Sequence, residues 1–153
     1  MRLTDVMSTQ IVSITPETRV GDAARRMIEA ETGAAMVLAE GDDLVGVITE
    51  RDLLRCVSEG VDPDTPASQR MTRHVLTGTP ATELAEAMAM MVDGLFRHLP
   101  VVNEDGRVVG VVSMRDLMAY TSLRLRQGAT GPDDDLDPAE VIATIHRMRT
   151  GAA

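Results

Sequence analysis

Slid along itself, the chain aligns Met7 with Met71, Thr15-Pro16 with Thr79-Pro80, Met27 with Met91, Val45-Gly46-Val47 with Val109-Gly110-Val111, and Arg51-Asp52-Leu53 with Arg115-Asp116-Leu117. Every pair is separated by 64 positions, and no gap is needed. Self-similarity held at one spacing constrains architecture more than any local pattern does, because it makes the fold an assembly of copies. A chain of 153 residues has room for one well-buried domain, or for two small units that share a core because neither buries enough surface alone. The repeat points to the second arrangement.

Each copy reads as β-α-β-β-α. Ile11-Val12-Ser13-Ile14 and Val75-Leu76-Thr77 are short apolar or β-branched runs stopped by Thr-Pro, as a brief strand would be. Val20, Ala23, Ala24, Met27 and Ile28 then recur at helical spacing, as do Leu84, Ala87, Met88, Met91 and Val92, with Thr18 and Thr82 as expected N-caps. Ala35 to Leu38 and Leu99 to Val102 read as buried strands, each followed by a polar turn. Leu44 to Ile48 and Val108 to Val112 are apolar on both faces and run into second helices beginning at Thr49 and Ser113. A small sheet with one uncovered face is completed most economically by packing a second copy against it, which gives pseudo-twofold symmetry and two related clefts at the junction.

The end of the third strand carries the most suggestive chemistry. Gly46-Val47-Ile48-Thr49-Glu50-Arg51-Asp52 and Gly110-Val111-Val112-Ser113-Met114-Arg115-Asp116 share the form Gly-x-x-Ser/Thr-x-Arg-Asp. Hydroxyl and carboxylate are three residues apart at a helix start, where backbone N–H groups are exposed and an anion is welcome. A carboxylate accepts from paired hydroxyls such as a ribose diol, and the glycine lets another group approach the strand. The same spacing is also that of a capping box, which only closes the helix N-terminus. The copies differ nearby: Arg97-His98 stands where the first unit has Gly33-Ala34. Arg97 offers a fork to phosphate oxygens and His98 a donor that titrates near neutrality, although each also fits an ordinary surface or packing role.

Composition excludes several functions. The net charge of −9 opposes general nucleic-acid binding, which draws its affinity from phosphate neutralisation. The apolar runs fall far short of the roughly 20 residues a membrane helix requires, and Met1 to Asp5 lacks a signal-peptide pattern, so a cytoplasmic location and no membrane partner are expected. Cys56 is the single cysteine and reads as buried filler. No nucleophile-base constellation, clustered metal-ligand set or Walker-type loop is recognisable, so neither catalytic residues nor a metal is assigned.

Taken together, Val6-Met7-Ser8 and Arg70-Met71-Thr72, the two Thr-Pro steps, Arg97-His98-Leu99-Pro100-Val101-Val102 and the paired Asp motifs resemble the cystathionine-β-synthase (CBS) domain family, as a stand-alone tandem pair or Bateman module spanning roughly residues 3 to 120. The resemblance implies an α+β fold of two CBS motifs, set here at residues 1–60 and 61–124, with a linker and C-terminal helix in 125–153. It also implies a non-enzymatic regulatory module that requires no cofactor. Its regulatory ligand would be AMP, ADP, ATP or S-adenosylmethionine. Carried over by position, Asp52 and Asp116 face the ribose diol, and Thr49 and Ser113 lie near ribose or phosphate. Thr15 and Thr79 stand at strand ends beside the ligand, and Arg97 and His98 contact phosphate. The first unit departs from the pattern at Ala34-Ala35-Met36, where the second has His98-Leu99-Pro100, so full occupancy of both clefts is not expected. With Phe96 and Tyr120 the only aromatic residues, an adenine is expected between aliphatic and Met side chains. A module of the same fold that serves homodimer assembly and binds no nucleotide is the alternative.

Past Tyr120 the helix is expected to continue toward Gly128. Asp133-Asp134-Asp135 reads as a solvated loop, and Asp137-Pro138 opens a last helix whose Val141, Ile142, Ile145 and Met148 form an apolar stripe. That stripe needs cover, from the same subunit, a homodimer neighbour or a regulated protein.

Overall fold

The repeat is realised as two copies of one helix-and-sheet unit. The computed structural model describes residues 1–126 and 143–144, so the expected acidic loop and nearly all of the C-terminal helix lie outside the described residues. The first unit comprises β1 (Ser13–Ile14), α1 (Val20–Glu29), β2 (Ala34–Leu38), β3 (Leu44–Thr49) and α2 (Glu50–Ser58). The second comprises α3 (Leu84–Asp93), β4 (His98–Val102), β5 (Val108–Ser113) and α4 (Met114–Arg126). Strand β2 pairs parallel with β1 and antiparallel with β3, while β4 pairs antiparallel with β5. Even the irregularity is duplicated, with a register shift between Val37 and Leu38 and again between Val101 and Val102.

The strand expected at Val75–Thr77 does not form. Only Gly78 bridges, its N–H donating to the Pro100 carbonyl at 2.9 Å and its carbonyl accepting from Val102 N–H at 2.9 Å. Gly78 stands where the first unit has Ile14, and a Cβ there would lie 2.7 Å from Leu3 Cδ1. A strand without side chains to pack is weak, and here the space goes to Leu3 instead. The first-unit strand likewise contracts to Ser13–Ile14. The expected N-caps are also corrected. Arg19 and Glu83 occupy the cap positions of α1 and α3 without a side-chain cap bond. Thr18 and Thr82 instead turn back, their hydroxyls accepting from Thr15 N–H at 3.0 Å and Thr79 N–H at 2.9 Å. Helix α1 buries Val20, Ala23 and Met27 and α3 buries Leu84, Ala87 and Met91, but Ile28 and Val92 at the edges of those stripes are 77% and 56% exposed.

The units are bound by an exchange of their leading segments. Leu3 and Val6, ahead of the first unit, pack with Leu84, Ala87, Met91, Leu99, Val112 and Leu117 of the second. Ala67, ahead of the second unit, packs with Ile14, Val20, Met27 and Ile48 of the first. The crossings end in matched antiparallel bridges. Ser8 and Val111 exchange N–H···O bonds of 2.9 and 3.0 Å, and Thr72 and Val47 exchange bonds of 2.9 and 3.0 Å. A third cluster, Ala34, Met36, Val47 and Val111 with Ile11 and Val75 beside it, forms the seam between the sheets. Burying one leucine as deeply as Leu3, which is fully inaccessible, is worth about 1.5–3 kcal/mol, so neither unit's core is complete without the other's leading segment.

Candidate functional site

Both Asp motifs do form capping boxes. Asp52 Oδ2 accepts from Thr49 N–H at 2.9 Å and from the Thr49 hydroxyl at 2.7 Å, and the Thr49 hydroxyl accepts from Asp52 N–H at 3.4 Å. In the second unit Asp116 Oδ2 accepts from Ser113 N–H at 2.7 Å and the Ser113 hydroxyl at 2.8 Å, with the return bond from Asp116 N–H at 3.3 Å. At both starts the box uses one carboxylate oxygen. At Asp52 the other oxygen is 3.9 Å from Arg55 Nη1, and the side chain keeps 11% of its surface accessible. Asp116 is only 1% exposed. The two carboxylates are thus chemically duplicated but differ in access.

The glycines of the motif already have their close approach. A Cβ on Gly46 would lie 2.6 Å from Met71 Sδ, and one on Gly110 would lie 2.6 Å from Met7 Sδ. Each glycine therefore seats the methionine of the other unit's leading segment.

Around Asp52 a cleft of about 320 Å³ opens, within the size range of small-molecule pockets. Its floor is Val47, Thr49 and Asp52 from the first unit, and its far wall is Thr72, His74, Val75 and Leu76 from the second unit's leading segment. Gly94, Leu95, Phe96, Arg97 and His98 close it, while Arg51 and Arg55 stand over it from α2. Of the eight residues singled out in the sequence, four meet here: Thr49, Asp52, Arg97 and His98. Ser113 and Asp116 form the equivalent pair in the other unit, and Thr15 and Thr79 are exposed corner residues outside this lining. The apolar part of the lining is Val47, Val75, Leu76, Leu95 and Phe96, without a methionine.

Sequence reading missed His74, Arg51 and Arg55. A signal for two of them existed: where the cleft has His74 and Arg55, the repeat has Gln10 and Ala119. Adding Gly33 and Ala34 opposite Arg97 and His98, four of the five basic-type side chains at Asp52 have no counterpart at Asp116, and only Arg51 has one, in Arg115. Sequence order puts Arg97-His98 in the unit that owns Asp116, whereas the cleft joins them to Asp52.

One acidic residue enters this basic end. Glu50 Oε2 lies 3.8 Å from Arg97 Nη2. Above Gly33, where a Cβ would sit, Glu50 Oε1 and His98 Cε1 lie 2.7 and 2.9 Å away, so carboxylate and imidazole both occupy the space a side chain would fill. His98 also pairs across the sheet with Ser113. Burial pushes its pKa below the usual histidine value; Glu50 opposes this, Arg97 adds to it, and Asp116 and Arg115 act more weakly in opposite directions.

A second, larger groove of about 600 Å³ runs over α3 and α4, lined by Met88, Val92, Met114, Met118 and Leu125 among others. It lacks the convergent charged groups that orient a nucleotide, so the smaller cleft is the candidate site. Among the described residues no group of His, Cys, Asp and Glu is placed to hold a metal ion, and no helix is long and apolar enough to cross a membrane.

Two sheets of this topology, each leading into a Ser/Thr-x-x-Asp helix start and joined by exchanged leading segments, define a tandem α+β pair, and comparison with known proteins gives the family. The CBS domain profile matches residues 3–59 and again 61–122, and the chain belongs to the CBS domain family as a tandem pair. It is 34% identical over 116 residues to an uncharacterized 17.7 kDa protein of Acidianus ambivalens, covering 76% of this chain and 70% of that one. It is 34% identical over 114 residues to the CBS domain-containing protein YhcV of Bacillus subtilis, covering 74% and 80% respectively. Among solved structures, the CBS domain protein PAE2072 from Pyrobaculum aerophilum, complexed with AMP, superposes with a TM-score of 0.76 at 27% identity, covering 86% of this chain and 100% of that one.

Proposed function

We propose that this protein is a non-enzymatic regulatory module that senses an adenosine-containing nucleotide of the AMP, ADP or ATP class, acting as a cytoplasmic homodimer on a regulated partner. The observation that carries the reading is the meeting, in one cleft, of the Thr49–Asp52 pair with Arg97, His98 and His74. In this reading the Asp52 oxygen not used by the cap accepts from the ribose diol, as a carboxylate does from vicinal hydroxyls. Thr49 lies beside the ribose, and Val75, Leu76 and Phe96 cover the adenine. Arg97, Arg51, His74 and His98 take the phosphates. The related Pyrobaculum protein, solved with AMP, supports the ligand class.

The two sites are unequal in this reading, because around Asp116 Gln10, Gly33, Ala34 and Ala119 stand in place of His74, Arg97, His98 and Arg55, and only Arg51 keeps a counterpart, in Arg115. Titration calorimetry with AMP, ADP, ATP and S-adenosylmethionine tests it. One dominant nucleotide site is expected, weakened tenfold or more by Asp52→Ala and little by Asp116→Ala. The absence of binding by all four ligands, or equal binding after Asp52→Ala, defeats it. The assembly module is the second reading, favoured by the closed capping boxes: it expects only a loss of stability from either substitution.

A further inference from the structure

We infer that Glu50 is a specificity-determining residue of the Asp52 cleft: its carboxylate is an internal counter-ion that competes with ligand phosphate for Arg97. The inference rests on the nucleotide reading for the identity of the ligand and on the geometry for the competition. Glu50 is the first residue of α2, directly after Thr49, so the helix that presents Asp52 also fixes where the Glu50 side chain starts. Its backbone N–H donates to the carbonyl of Gly33 at 3.1 Å, which ties that start to the residue just before β2. From there the carboxylate reaches across the seam. One oxygen lies 3.8 Å from Arg97 Nη2, and the other lies over the bare Cα of Gly33 beside the His98 ring.

The repeat shows that this contact is not imposed by the fold. At the equivalent helix start the chain has Met114, whose backbone N–H makes the matching 2.8 Å bond to the Arg97 carbonyl without bringing any charge. Glu50 and Arg97 therefore arose at places that are Met114 and Gly33 in the other copy, and their charges meet only because the units are packed together. An anion already present beside Arg97 weakens every ligand in proportion to the charge it brings to that place. A nucleoside without phosphate does not notice it, and a phosphate must displace it. Both side chains are more than half exposed, so the pair itself is held weakly and yields to a phosphate that can accept from the guanidinium fork.

Replacing the carboxylate by the isosteric amide keeps the size of Glu50 and removes its charge. Glu50→Gln is expected to raise affinity for AMP about two- to fivefold in low salt, the range that an exposed ion pair commands, and to leave adenosine unchanged. The gain should shrink as ionic strength rises. Inorganic pyrophosphate serves as a second probe without an adenine. All are titrated calorimetrically into the full chain and its Glu50→Gln and Arg97→Ala variants. If AMP or pyrophosphate binds both wild type and Glu50→Gln with the same affinity, or if adenosine gains as much as AMP, the competition is refuted while the nucleotide reading stands. If pyrophosphate binds and is strengthened by Glu50→Gln while adenosine, AMP, ADP, ATP and S-adenosylmethionine do not bind, the competition holds and the adenosine reading falls. If neither anion binds either protein, the competition falls, and the nucleotide reading falls with it when ADP, ATP and S-adenosylmethionine also fail to bind. Arg97→Ala combined with Glu50→Gln must lose the gain, because a benefit that survives without Arg97 does not come from releasing it.

Discussion

Substituting Gly46 by alanine tests the crossing that holds the units together. The new Cβ would stand 2.6 Å from Met71 Sδ, 2.9 Å from Met71 Cγ and 3.0 Å from the Thr72 carbonyl oxygen. The thioether can swing away, but then it leaves the first unit's core, against which it packs. The carbonyl has less freedom, because Thr72 is held to Val47 by bonds of 2.9 and 3.0 Å in both directions. Overpacking of this kind costs about 1–3 kcal/mol, and exchanging glycine for alanine in a strand returns about 0.5–1 kcal/mol through backbone entropy. A net loss of about 1–2 kcal/mol is expected, equivalent to roughly 3–6 °C in Tm for a chain of this size. Urea unfolding reads it as a lower midpoint with an unchanged m value.

A double-mutant cycle assigns the cause. Met71→Ala empties the space the new methyl needs, so Gly46→Ala should cost about 1 kcal/mol less in that background than in wild type. Gly110→Ala should behave similarly, since its Cβ would stand 2.6 Å from Met7 Sδ and 3.1 Å from the Ser8 carbonyl oxygen. A midpoint at or above that of wild type for either glycine variant, or strict additivity with the methionine variant, would refute the claim that these glycines are there to seat the crossing segments.

Other expectations follow from single residues. Asp116→Ala should destabilise by about 1–3 kcal/mol and Asp52→Ala by about 0.5–1.5 kcal/mol, because the cap at Asp116 is the more deeply buried; denaturant midpoints give the order, and the reverse order contradicts it. Glu31 and Leu95 hold positive φ angles of 51° and 55° at equivalent positions after α1 and α3. Glu31→Gly should therefore stabilise by about 0.5–1 kcal/mol in the same assay, and a loss of stability counts against the strain. His98 has its folded-state pKa lowered by burial, so the folded protein binds fewer protons than the unfolded one between that pKa and about 6.5. Its contribution is complete above about 6.5 and is lost as pH falls toward the folded pKa. His98→Gln should flatten that part of the stability-pH curve, and an unchanged slope argues against a neutral buried imidazole.

The repeat, the order of elements apart from the strand at Val75–Thr77, and the paired capping motif were readable, because each is written in local residue pattern. Hydrophobic spacing located α1 and α3, and the strand preceding each Asp motif was placed to within a residue or two. What could not be read is where each leading segment goes. Val6-Met7-Ser8 and Arg70-Met71-Thr72 are evident as a matched pair, but nothing local says that each docks on the opposite unit. The failure of Val75–Thr77 to form a strand has the same origin: Gly78 yields its side-chain space to Leu3, a residue far away in sequence. Thr18 and Thr82 were misplaced for a more local reason. Both caps and hydroxyl-closed turns use a threonine near a helix start, and here the turn at Thr-Pro claims the hydroxyl.

The exchange also explains how duplicated sites can diverge without loss of the fold. The Asp52 cleft takes its floor from the first unit but His74, Arg97 and His98 from the second. A substitution in one copy therefore alters the side chains that face the other copy's Asp. The capping boxes are local, lie within one unit and serve the helix whether or not a ligand is present, so they are retained in both. The basic groups, Arg97 and His74 across the seam and Arg51 and Arg55 on α2, are not needed by either core, because all four are exposed. Stability thus constrains the Asp pair and leaves the basic end of the cleft free to change. That is the pattern observed, with the caps alike in both copies and His74, Arg97, His98 and Arg55 present at one alone.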